Sequence, residues 1–81
     1  MVNISGGNGS SFENAIIISD CNNSEGIEQE YIEVQKRFGN YKLIKQSLLD
    51  NEGKMYDLLE LDIKGEKVEL YFDITAFFGN W

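Results

Sequence analysis

Residues 54–74 read KMYDLLELDIKGEKVELYFDI, and their alternation decides the fold. Counting outward from Lys64-Gly65, a dipeptide suited to a tight turn, sets Leu61 opposite Val68, Leu59 opposite Leu70 and Met55 opposite Ile74. Successive side chains in a strand point to opposite faces, so these pairs form one apolar layer. The opposite layer takes Tyr56 with Asp73, Leu58 with Tyr71, Glu60 with Glu69 and Asp62 with Lys67. The segment predicts a β-hairpin with one buried face and one acidic, aromatic face turned to water.

Residues 41–49 extend the same pattern upstream. A turn centred on Asn51-Glu52 sets Leu48 against Met55 and Ile44 against Leu59, on the layer already taken as buried. It leaves Leu43 beside Glu60 and Lys45 beside Leu58 on the outer layer. Two turns that agree about the buried side are the consistency expected of a real sheet.

A helix is expected before these strands, with Ser24 as N-cap, an end near Phe38, and Gly39-Asn40 closing it. Ile27, Tyr31, Val34 and Phe38 follow helical spacing and mark the face that should pack on the sheet. Glu25, Glu28, Glu30 and Glu33 crowd the front half, while Lys36 and Arg37 end it. That order suits the helix dipole, and Glu33 with Arg37 makes an i,i+4 pair.

Residues 14–19, NAIIIS, read as a short buried strand, and residues 10–13 have the spacing of a capping box able to start one helical turn. Residues 1–9 read as a flexible or loop-like arm. At the far end, residues 75–79 suggest a closing turn capped by Asp73 or Thr75, with Phe77 or Phe78 packed inward. The expected architecture is α+β with order β-α-β-β-β, one helix packed on a mainly antiparallel four-stranded sheet, in a single domain over residues 1–81.

Composition narrows the function. The chain carries 14 acids against 7 bases and a net charge of −7, and its first basic residue is Lys36. Such a surface repels phosphates, so nucleic acid and anionic membrane are disfavoured and a basic protein partner is favoured. A secretory leader needs an early positive charge before a long apolar run, and neither is present. A lone Cys21 forms no internal disulfide, which fits a reducing cytoplasm.

Catalytic signatures are missing. With no histidine there is no Ser-His or Cys-His pair, and no base neighbours Cys21 in the sequence. GGNGSS (residues 6–11) lacks the lysine of a phosphate-binding loop, and DCNNSEG (residues 20–26) departs from a calcium loop in the position of its glycine and in ending on Tyr31 where a glutamate belongs. The expectation is a non-enzymatic chain with no metal and no cofactor.

Two features remain as candidate sites. Tyr56, Leu58, Glu60, Glu69, Tyr71 and Asp73 would form an exposed partner-binding face, where Glu60 across from Glu69 invites a positive charge. Asp57 points inward, between Phe72 and Gln46, and so makes a possible buried polar site with Gln46. The plainer reading of Asp57, a carboxylate at the core's edge satisfied by Gln46 or a loop amide, is preferred.

The segments GGNGSS…AII (residues 6–17) and FDITAFFG (residues 72–79) resemble those of small uncharacterised bacterial proteins. The resemblance spans nearly the whole chain and brings no activity, cofactor or site with it. The favoured function is protein binding of an inhibitor or immunity type, presenting the acidic-aromatic face to a basic partner. The alternatives are a homodimer or assembly subunit, using that face or an open sheet edge, and a small-ligand domain with a pocket near Asp57 and the glycine loop.

Overall fold

The computed structural model describes residues 2–79, so Met1 of the expected arm lies outside the described residues. The elements run β1 (Asn3–Gly6), β2 (Ile16–Ser19), α1 (Asn23–Phe38), β3 (Lys42–Asn51), β4 (Lys54–Ile63) and β5 (Glu66–Asp73). One helix packs on a five-stranded mixed sheet of order β1-β2-β5-β4-β3. The expected sheet of four strands is thus corrected to five, with one parallel pair, β2 with β5.

The extra strand comes from the segment expected to be a flexible arm. Asn3–Gly6 pairs antiparallel with β2 in the register Asn3 to Ser19 and Ile4 to Ile18. Ile4 packs against the core, and the pairing satisfies the edge of a strand that would otherwise be left open. The strand expected within residues 14–19 runs from Ile16 to Ser19 and lies in the sheet between β1 and β5.

The β4–β5 hairpin has the expected register throughout: Tyr56 faces Asp73, Leu58 faces Tyr71, Glu60 faces Glu69 and Leu61 faces Val68. Lys64 and Gly65 both take positive φ, 53° and 87°, as a two-residue turn with the twist of the flanking strands requires. The β3–β4 hairpin is shifted. Its turn is Glu52-Gly53, at φ 53° and 79°; both positions are left-handed, which Gly53 accepts freely and Glu52 only at a cost. Leu48 therefore faces Asp57, Gln46 faces Leu59, and Lys45 faces Glu60. The expected pairs Leu48–Met55, Ile44–Leu59, Leu43–Glu60, Lys45–Leu58 and Gln46–Asp57 do not form. An irregularity between Leu43 and Lys45 puts Ile44 in a bulge and Leu43 opposite Leu61.

The core between helix and sheet holds Ile16, Ile18, Val34, Leu59, Leu61, Leu70, Phe72, Ile74 and Phe77. The helix starts two residues earlier than expected: Asn22, not Ser24, is the N-cap and exchanges hydrogen bonds with Glu25 in a capping box. Gly39 ends it as expected. Its buried residues are Asn23, Gly26, Glu30, Glu33 and Val34, a face rotated by about one position from the Ile27–Tyr31–Phe38 stripe. Gly26 explains the rotation: a Cβ there would overlap the ring of Phe77, so the helix backbone rests directly on that buried ring. Phe77 is the inward phenylalanine and Phe78 the exposed one. Asp73 caps the closing turn, accepting from the Thr75 amide at 3.0 Å and its hydroxyl at 2.7 Å.

Candidate functional site

The sheet has two faces, and each carries part of what the sequence singled out. On the face away from the helix, Ile17, Asp73 and Tyr56 lie side by side on β2, β5 and β4. The loop of residues 7–15 folds over this row. The Phe12 ring sits 4.9 Å from the centres of both Tyr56 and Tyr71, edge-on to the first and tilted to the second. The Gly9 carbonyl accepts from the Tyr71 amide at 2.7 Å, continuing the β5 edge beyond its short pairing with β2.

The expected acidic-aromatic face is therefore partly covered by the chain itself. Tyr56 and Asp73 are buried, Leu58, Glu60 and Tyr71 are partly covered, and Glu69 is exposed. Lys67 lies 2.8 Å from Glu60, and its hydrogen bond holds the Glu60 carboxyl below its usual range. The repulsion between Glu60 and Glu69 is thus eased within the chain. A cleft of about 510 Å³ opens at one end of this face, with Asp73 and Tyr56 in its floor and Phe12, Glu13, Asn51 and Lys54 around it. It adjoins the glycine loop, but Asp57 is not part of it, being on the other side of the sheet.

Under the helix, Asp57 is buried as its parity required, yet its partner is not Gln46. Glu30 of α1, fully buried, reaches it instead. Among the described residues no N–H or hydroxyl group meets either Glu30 oxygen, so the contact with Asp57 is a hydrogen bond only while one carboxyl keeps its proton. Burial first, then Asp57, pushes Glu30 up to about 10. Gln46 is engaged elsewhere, accepting from the Tyr31 hydroxyl at 2.6 Å. The signal available in the sequence was helical spacing from Gly26: Glu30 and Glu33 follow it at i+4 and i+7. Glu33 is the quieter of the two, because Gln29, Lys36 and Arg37 all meet its oxygens between 3.1 and 3.5 Å.

The rotation of α1 and the shift of β3 have a joint consequence. The helix covers β2, β5 and β4 but leaves β3 overhanging. Ile44 and Leu48, expected in the core, are 56% and 52% exposed, and Leu43, Ile27 and Ile32 are exposed as well. Glu28, Tyr31, Ile32, Gln35 and Lys36 of α1 line, with Tyr41 just before β3, an open groove of about 400 Å³. The Tyr31–Gln46 hydrogen bond ties the helix to β3 across this surface. Large apolar side chains left in water on a rigid helix and strand are what a protein interface buries.

Reactive groups are few. Burial, then Glu25 and Asp20, pushes the Cys21 thiol up, away from the thiolate a nucleophile needs. No helix among the described residues is long and apolar enough to cross a membrane. Comparisons of the chain with protein-family models, curated proteins and solved structures return no match.

Proposed function

We propose that the chain is a non-enzymatic protein-binding module of the cytoplasm that works through the α1–β3 flank. One observation carries this reading: Leu43, Ile44 and Leu48 stand in water on an edge strand that nothing among the described residues covers, with Ile27 exposed one turn before Tyr31, whose hydroxyl bonds to β3, and Ile32 exposed in the groove of Tyr31 and Tyr41. Burying such side chains against a partner releases about 25 cal/mol per Å² of apolar area, and their rigid attachment to helix and strand limits the entropy lost on binding.

The acidic-aromatic face supports a second reading, in which a basic partner meets Glu66 and Glu69, both exposed on β5. Phe12 already occupies the aromatic part of that face, which places this reading behind the first.

Two double variants separate them. Ile32→Lys with Ile44→Lys should leave urea stability within roughly 0.5 kcal/mol, since both positions are exposed, and should abolish partner capture by the immobilised chain. Glu66→Lys with Glu69→Lys should leave capture intact. The reverse pattern would favour the acidic face, and capture indifferent to both pairs would overturn the proposal.

A further inference from the structure

Resting on that reading, we infer that the partner of the α1–β3 flank is a second copy of this chain, joined antiparallel along β3 about a two-fold axis at Leu48. β3 is the sheet's long edge, ten residues against four for β1 at the other edge. Two-residue turns fix which backbone groups point outward. Asn51 and Lys54 close the hairpin, so Asn51, Leu49, Ser47 and Lys45 bond inward to β4, and the amides and carbonyls of Gln46, Leu48 and Asp50 face away from it. The same counting applied to β4–β5 turns Met55 toward Ile74 and Tyr71 away from β4, as their observed hydrogen bonds require.

The bulge at Ile44 breaks the edge upstream, leaving residues 45–51 as a regular stretch whose outer edge pairs with no strand among the described residues. Paired with itself about Leu48, this stretch sets Leu48 against its own copy, Gln46 against Asp50, Ser47 against Leu49 and Lys45 against Asn51. The exposed Leu48 side chains then meet on the helix side, where each is otherwise half in water.

Charge selects this partner over others. The chain carries −7, so two copies repel over most of their surface. β3 is the exception, with Lys42 and Lys45 at its start and Asp50 at its end, followed by Glu52. An antiparallel two-fold brings the basic start of each strand beside the acidic end of the other, and it does so twice. A parallel pairing would instead align like charges.

Sedimentation of the wild-type chain from about 1 to 500 μM tests the inference, together with a cysteine trap in a Cys21→Ser background. The expected result is a mass rising to twice 9.2 kDa, and a shift of the midpoint by on the order of tenfold to higher concentration in Leu48→Lys, which opposes two lysines across the axis. Under mild oxidation Leu48→Cys should cross-link to its own copy, because directly opposed Cα atoms lie about 5.5 Å apart. Asp50→Cys should not, since residue 50 is offset from its copy by four residues, roughly 13 Å. A wild-type monomer throughout, or cross-linking equally efficient at both positions, overturns the two-fold at Leu48. If the chain stays monomeric while Ile32→Lys with Ile44→Lys still abolishes capture of another protein, the flank remains a binding surface with a different partner. If both results are negative, the two readings fall together.

Discussion

Glu30 on the sheet-facing side of α1 stands against Asp57 on β4, and both carboxyl groups are buried, with no N–H or hydroxyl among the described residues meeting either Glu30 oxygen. Two carboxylates so placed cannot both ionise without leaving charge in a low-dielectric site. The helix is therefore held over β4 by a shared proton as well as by apolar packing.

That proton makes stability fall as pH rises. Glu30 has its ordinary value of 4.5 when unfolded and about 10 when folded, so between these limits the folded chain binds the extra proton. The contribution is fully present below 4.5 and is lost as pH climbs through the folded value, with a slope of up to about 1.4 kcal/mol per pH unit. Glu30→Gln supplies a neutral N–H donor to Asp57 in the same space. Urea midpoints measured from pH 5 to 9 should flatten in this variant, which should exceed the wild type by on the order of 2 kcal/mol at pH 8. Curves that stay parallel would remove the shared proton from the account.

Gly26 and Phe77 make a second tight pairing. Alanine is the better helix former by roughly 1 kcal/mol, yet its methyl would overlap a ring that is 1% exposed. Gly26→Ala should lose about 1–3 kcal/mol on balance, and Phe77→Leu should recover part of that loss in the double variant. Equilibrium unfolding of the four-member cycle measures the coupling. A Gly26→Ala chain more stable than the wild type would mean the helix does not rest on that ring.

The shifted β3 register depends on Gly53. Gly53→Ala should lose about 1 kcal/mol through its positive φ, whereas Glu52→Asn, creating the favoured Asn-Gly turn, should gain roughly 0.5 kcal/mol. Neither position meets the core, so the effect belongs to the turn. If Glu52→Asn destabilises the chain, the turn lies elsewhere and β3 is paired differently.

The β4–β5 hairpin was legible down to individual pairs because its turn and its alternation point to the same register. Tyr56, Leu58, Glu60, Glu69, Tyr71 and Asp73 do share one face for this reason. What local pattern could not show was that Phe12, 44 positions before Tyr56, returns to cover part of it. The β3 turn was misplaced by one residue because charged and amide residues on both sides of the turn leave several centres open, and the glycine's backbone freedom decides among them. The helix was found with its end correct and its buried face misjudged. Apolar spacing favoured Ile27 and Tyr31, but close approach over Phe77 and a proton shared with Asp57 outweighed it.

The sequence by itself determined which side of the last two strands is dry, where the helix lies and that catalytic pairs involving histidine are impossible. These follow from periodicity, caps and composition, which are local or countable. Only the tertiary structure decided that Asn3–Gly6 is a strand, that Glu30 meets Asp57, and that Ile44 and Leu48 are left in water. Each depends on the angle and rotation at which distant segments pack, and that geometry is set by the shape of the whole core.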